Sequence, residues 1–165
     1  MMKTFTEQEL KEILRKHKLW LEDSNQQDAE RADLSGANLS CADLSCADLS
    51  RAKNIPFVPY ACPDFGSFIG YKKAQGLIVE LEILSDAKRV SATGRKCRCD
   101  KAKVLSIQNI DGTPSVKTSV ASDRDSEFIY KVGEIVTVDD FDENRWNECS
   151  TGIHFFINRQ EAVNY

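Results

Sequence analysis

Six cysteines and two histidines are the residues through which this sequence could do redox or metal chemistry. Cys97 and Cys99 flank an arginine in the triplet CRC, and Cys149 precedes His154 in the stretch ECSTGIH. Three thiolates and one imidazole form a ligand set that tetrahedral zinc accepts. On a strand, Cys97 and Cys99 would share one face. The C-x-C spacing, however, is tighter than the usual chelating C-x₂₋₄-C. Small cysteines buried in a β core account for the same residues more cheaply, so no metal and no cofactor is expected. Six cysteines in 165 residues also do not make the short, dense framework of a secreted disulfide scaffold. The thiols are expected to be reduced.

The second chemical feature is charge. Residues 88–103, KRVSATGRKCRCDKAK, hold seven bases and one acid, a local balance of +6 in a chain whose net charge is −4. A solvated face explains such a run, and a site for phosphates or another polyanion is the sharper reading. Arg95, Lys96 and Arg98, together with Tyr71, Lys72 and Lys73, are the candidate phosphate and base contacts. Arg145, Trp146 and His154 form a further grouping able to stack on and hydrogen-bond a ligand.

Enzyme templates are absent. There is no G-x-S-x-G elbow, no phosphate-binding Walker loop, no dinucleotide fingerprint after a strand and no H-E-x-x-H pair. No catalytic residue is assigned. A zinc or thiol enzyme built on Cys149 and His154 is the third-ranked functional reading, behind two kinds of binding protein.

The elements that must position these residues divide the chain into three parts. In TFTEQELKEILRKHKLWLED, Thr6 and Glu9 have capping-box spacing. Leu10, Ile13, Leu14, His17 and Leu21 then fall on one helical face, where His17 reads as a packed core residue. The polar SNQQDAE leads into RADLSGANLSCADLSCADLSRA. There Ala32, Ala37, Ala42 and Ala47 interleave with Leu34, Leu39, Leu44 and Leu49 at a strict period of five. Neither a helix nor a plain strand has that period. Pro56, Pro59 and Pro63, with Phe57, Tyr60 and Phe65, make a stiff aromatic connector expected to pack against both flanking parts.

Beyond the connector the signals are mainly β. GLIVELEIL, RVSA, KVLSIQNI and GIHFFI read as strands, and Asp111-Gly112 marks a turn. EFIYKV and EIVTV, on either side of Gly133, predict a tight hairpin. Asn158 and Glu161 have the spacing that starts a short closing helix.

The repeat pattern A-[D/N]-L-x-x resembles the pentapeptide-repeat family. That resemblance implies a square right-handed β-helix coil, with leucine at its centre and alanine allowing close stacking. Four units make one coil, and its two open ends must be covered by the N-terminal helix, the C-terminal segment or a second subunit. Gyrase-binding members of the family mimic DNA. One coil rises by only ~4.8 Å, so this one is too short for that role. The wider combination LKEILRKHKLWL, FIGYKKA, CRCDKAKVLSI, YKVGEIVTVDDFD and ECSTGIHFFINRQEAVNY resembles phage and Firmicutes pentapeptide-repeat proteins whose C-terminal domain has no assigned activity. The C-x-x-G-I-H element at Cys149 to His154 also resembles a motif of phage proteins that help infection survive host exclusion.

The sequence therefore predicts an α+β protein. Its parts are an N-terminal amphipathic helix with one pentapeptide-repeat coil (1–55), a Pro/aromatic connector (56–68) and a mainly antiparallel β domain with a short closing helix (69–165). No apolar run reaches the roughly 20 residues of a membrane span, and the N-terminus lacks a continuous apolar segment, so a cytoplasmic location in a bacterial host is expected. The leading functional expectation is a non-catalytic, homo-oligomeric phage or mobile-element protein that sequesters an anionic, nucleotide-like ligand in counter-defence. The alternative is an adaptor or inhibitor that docks a host protein.

Overall fold

Thr6 starts the first helix by reciprocal capping. Its Oγ1 accepts from Glu9 N–H at 3.2 Å, and its own N–H donates to the Glu9 carboxylate at 2.8 Å. The helix, α1 (Glu7–Glu22), buries Leu10 and His17. The computed structural model describes residues 3–39, 42, 44 and 47–165.

The period of five has a local cause. In each unit the alanine N–H donates back to the leucine carbonyl three residues earlier: Ala37 to Leu34 at 3.0 Å, Ala42 to Leu39 at 3.2 Å, Ala47 to Leu44 at 2.9 Å and Ala52 to Leu49 at 3.0 Å. The Asp at the second position reinforces two of these bends. Asp33 accepts from Ser35 N–H at 2.9 Å and Asp48 from Ser50 N–H at 2.8 Å, the Asx geometry that short acidic side chains favour in turns. Repeated bends bring the chain back beside itself. Asp33 and Lys53 form a parallel bridge across twenty positions, with Leu34 N–H on Lys53 O at 2.9 Å and Lys53 N–H on Ala32 O at 2.8 Å.

Leu34, Leu39, Leu44 and Leu49 are all buried in one cluster with Leu10, Ile13 and Leu14 of α1. Before the helix, Lys3 pairs in parallel with Ala37. From the C-terminal part, Trp146 enters the same cluster beside Ile55 and Val58, and Leu49 N–H donates to Trp146 O at 2.9 Å.

The remainder is mostly antiparallel β. Strands β1 (Phe68–Ala74), β2 (Leu77–Ile83), β5 (Lys101–Gln108) and β8 (Ile135–Thr137) form a sheet in the order β1-β2-β5-β8. A bulge interrupts the β2–β5 register between Glu80 and Leu81. Strands β3 (Arg89–Ser91), β4 (Cys97–Cys99) and β9 (Ile153–Phe155) form a second sheet, and β6 (Ser119–Ala121) pairs with β7 (Ile129–Lys131). Tyr71 and Phe156 exchange both backbone hydrogen bonds, at 2.7 and 2.8 Å, and so join β1 to the end of β9. The core between them includes Ile83, Val104, Tyr130, Ile153 and Phe155. Helix α2 (Arg159–Asn164), whose cap Asn158 accepts from Gln160 N–H at 2.8 Å, packs on β1.

The connector touches both cores: Val58 packs with the leucine cluster, while Ala61 and Cys62 join the β core. Two details depart from the sequence reading. Gly133 does turn the chain, with φ of +87°, but its flanking strands do not pair with each other. β7 pairs with β6, and β8 with β5. The reason is competition for partners: Val104 N–H takes Glu134 O at 2.9 Å and Gly133 N–H takes Val104 O at 2.8 Å, so β5 draws one arm of the expected hairpin into its own sheet. The sequence patterns do not mark strands β1 and β6. Among the described residues, no helix is long and apolar enough to cross a membrane.

Candidate functional site

Strand β4 divides the CRC triplet between two faces. Cys97 and Cys99 point into the core, and Arg98 lies opposite His154 in the β4–β9 register. The Arg98 guanidinium is buried among carbonyls. It donates to Asp142 O at 2.9 Å, Thr151 O at 2.6 Å, Asn144 O at 3.0 Å and Asn147 O at 2.9 Å. Five donors in a rigid fork suit this gathering role. Phe141 lies against the same guanidinium at 5.6 Å.

Arg145 works in the same way. It donates to Ser91 O at 2.7 Å, Val58 O at 2.8 Å and Ala92 O at 2.8 Å, and lies over the rings of Tyr60 and Trp146. Arg89, in the same basic segment, donates to Gly66 O and Leu84 O, both at 2.7 Å. Arg89, Lys96 and Arg98, three of the seven bases of residues 88–103, are thus buried in the fold, and the two arginines organise loops. Trp146 likewise packs in the leucine cluster.

Other candidates are engaged by α2 and its surroundings. Lys73 donates to Val163 O at 3.0 Å, and Arg95 pairs with Glu161 at 2.8 Å. Tyr71 contributes its backbone to the Phe156 bridge. Lys96 is buried with its Nζ 3.9 Å from Glu148, 3.6 Å from Cys149 Sγ and 5.8 Å from the Tyr165 ring centre. Glu148 is buried as well, and its place in the sequence beside Cys149 gave no sign of this pairing.

Lys72 differs from the rest. The burial pattern of β1 puts it on the same face as Gly70 and Ala74, pointing inward. Its ammonium lies 5.8 Å from the ring centre of buried Tyr130. Among the described residues, no acceptor is hydrogen-bonded to it. Burial pushes its pKa below the usual lysine range; Arg124 and Lys96 add to that, and Asp123 opposes it. The nearby Asp123 carboxylate accepts from Gln75 N–H at 2.8 Å.

His154 feels the same field. Burial lowers its pKa to about 4, and Lys96, Lys72 and Arg98 push in the same direction against the Ser150 carbonyl. Its Nε2 lies 2.9 Å from that carbonyl. A histidine so shifted is neutral at pH 7 and donates rather than carries charge. Lys72, Lys96, Arg98 and His154 are therefore the part of the predicted set that shares one electrostatic environment, with Arg98 taken up by the loop carbonyls.

The zinc set does not assemble. Cys97 and Cys99 face the core while His154 sits on the other face of the same sheet. Cys149 is disulfide-bonded, which corrects the expectation of reduced thiols throughout; Cys62, Cys97 and Cys99 are free. Cys41 and Cys46 lie outside the described residues. Among the described residues, no group of three or more His, Cys, Asp or Glu side chains is arranged to hold a metal. Two open grooves, of about 470 and 250 Å³, run along α1 beside Lys3, Phe5, Glu12 and Ile13, far in the sequence from the cationic cluster.

Residues 58–162, more than half of the chain, match a Family of unknown function (DUF5758). The chain belongs to that family. Every residue of the Lys72, Lys96 and His154 cluster falls within the DUF5758 region. The repeat segment matches Pentapeptide repeats (8 copies) over residues 25–53, ahead of it. No curated protein and no solved structure matches the chain.

Proposed function

We propose that this protein is a non-catalytic binding protein that captures a small anion, phosphate-bearing or nucleotide-like, at the Lys72, Lys96 and His154 cluster. The observation that carries the reading is the Lys72 ammonium, turned inward over Tyr130 with no hydrogen-bonded acceptor among the described residues. A lysine in such a place favours an anionic partner, because the low local dielectric strengthens attraction to an opposite charge. Lys96 adds positive field, and His154, neutral with its Nε2–H on Ser150 O, adds no charge of its own.

In this reading the repeat segment is one coil of a right-handed β-helix. It is a mounting for the DUF5758 region rather than a rod for nucleic-acid mimicry, and it provides the surface for homo-oligomerisation. Sequestration of a signalling nucleotide by a phage or mobile-element protein in the bacterial cytoplasm is the setting that the repeat resemblance favours.

Thermal unfolding of the full chain with inorganic phosphate, pyrophosphate or AMP tests the reading. Binding to the native state raises Tm with ligand concentration. A Tm unchanged by all three anions would count against it. A second reading, docking of a host protein, is favoured by Phe57 and Phe65, which are 92% and 82% exposed on the connector.

A further inference from the structure

Cys62 of the connector and Cys97 of β4 are free thiols brought together from distant parts of the chain. Cys97 pairs with Ser91 across β3 and β4. Ser91 Oγ accepts from Ala61 N–H at 2.8 Å, which lays the connector on that pair. The two thiols belong to the same buried core. Arg145, on Val58 O at 2.8 Å, and Arg89, on Gly66 O at 2.7 Å, fix the chain on either side of Cys62.

The environment makes the two sulfurs unequal. The Cys97 contact lowers the Cys62 pKa against its burial, and the Arg89 and Arg145 guanidiniums act in the same direction. Contact with Cys62, and then burial, pushes the Cys97 thiol up, and its proton also faces Arg95 O at 3.6 Å. Cys99, two residues further on the same strand, instead directs its thiol to Ile153 O at 3.9 Å.

We propose that Cys62 and Cys97 are an oxidation-sensitive dithiol that closes to an internal disulfide when a hydroperoxide reaches the core. The Cys62 thiolate attacks the peroxide O–O bond. A sulfur–oxygen bond forms, the O–O bond breaks, and the departing oxygen leaves as water or an alcohol. The Cys97 sulfur then attacks the Cys62 sulfenic acid. The S–S bond forms, the S–O bond breaks, and the hydroxyl leaves as water with the Cys97 proton. Two thiols are oxidised by two electrons, and one peroxide is reduced. The product ties the connector covalently to β4.

Treatment of the full-length native protein with hydrogen peroxide, followed by alkylation and non-reducing peptide mapping, tests this. The expected result is a Cys62–Cys97 cross-linked peptide, loss of two titratable thiols and unmodified Cys99. In Cys97→Ala the resolving sulfur is gone, so dimedone should label Cys62 as a sulfenic acid; in the wild type that label should be several-fold weaker. Cys62→Ala should lose the cross-link and leave Cys97 reduced. Unchanged thiols in the wild type, equal dimedone labelling of the wild type and Cys97→Ala, or a cross-link from Cys62 to a different cysteine would each overturn the proposal.

Discussion

The backbone N–H of Ala32 donates to Nδ1 of His17 at 3.3 Å, inside the contact between α1 and the repeats. That bond fixes the tautomer, so Nε2 carries the proton and donates to Ser50 O at 3.1 Å. One neutral imidazole thus satisfies backbone groups at both ends of the repeat segment. Replacing it with phenylalanine leaves a buried N–H and C=O without their partner, which costs about 1–3 kcal/mol. Denaturant titration of His17→Phe at pH 7 measures that loss.

Acid should act through the same histidine and through His154. Burial is the main cause of a lowered pKa at both, and for His154 the value is about 4. The unfolded chain therefore takes up protons first as pH falls from roughly 6.5, the ordinary histidine value. Stability from these groups is complete above that pH and is lost progressively down to about 4. The denaturation midpoint is expected to be flat above pH 7 and to fall across this window. His17→Phe should remove part of the slope.

Arg98 predicts a fold effect that leaves no room for conservative exchange. It draws the carbonyls of Asp142, Asn144, Asn147 and Thr151 onto one guanidinium. Arg98→Ala leaves buried carbonyls without their common donor and should cost at least about 1–3 kcal/mol, the penalty for one unsatisfied buried group. Arg98→Lys should recover little, because a point ammonium cannot reproduce the fork. Thermal denaturation of the two variants gives the comparison.

Gly70 is set by contact rather than by backbone angle. A Cβ there would lie 2.7 Å from Cδ2 of Phe155. Gly70→Ala should destabilise the join between β1 and β9 by about 1–3 kcal/mol. Phe155→Leu in the same chain should cost less than the sum of the two single changes, as coupled neighbours do.

Features written in short windows were legible in the sequence. The Thr6 and Glu9 box, the Asn158 cap and the period of five all depend on bonds that reach three residues or fewer. Features settled by long-range competition were not. The residues flanking Gly133 look like a hairpin, yet β5 takes one arm from a position some thirty residues earlier. The basic segment shows how charge and use diverge. Formal charge picked out Arg95, Lys96 and Arg98, but only the folded loop at 142–151 reveals that its carbonyls need the Arg98 donors. Lys72 could not be told from Lys73 by composition; strand alternation turns the first inward and leaves the second on the Val163 carbonyl.

Calorimetric titration of the full chain with pyrophosphate, for the wild type and for Lys72→Met, addresses the central claim most directly. Methionine keeps the apolar stem against Tyr130 and removes only the ammonium. The account predicts saturable binding by the wild type that weakens as salt rises, and a loss of affinity of at least about tenfold in Lys72→Met, as expected when one side of a buried charge contact is removed. Equal affinity in the two proteins, or no heat of binding in the wild type, would contradict it.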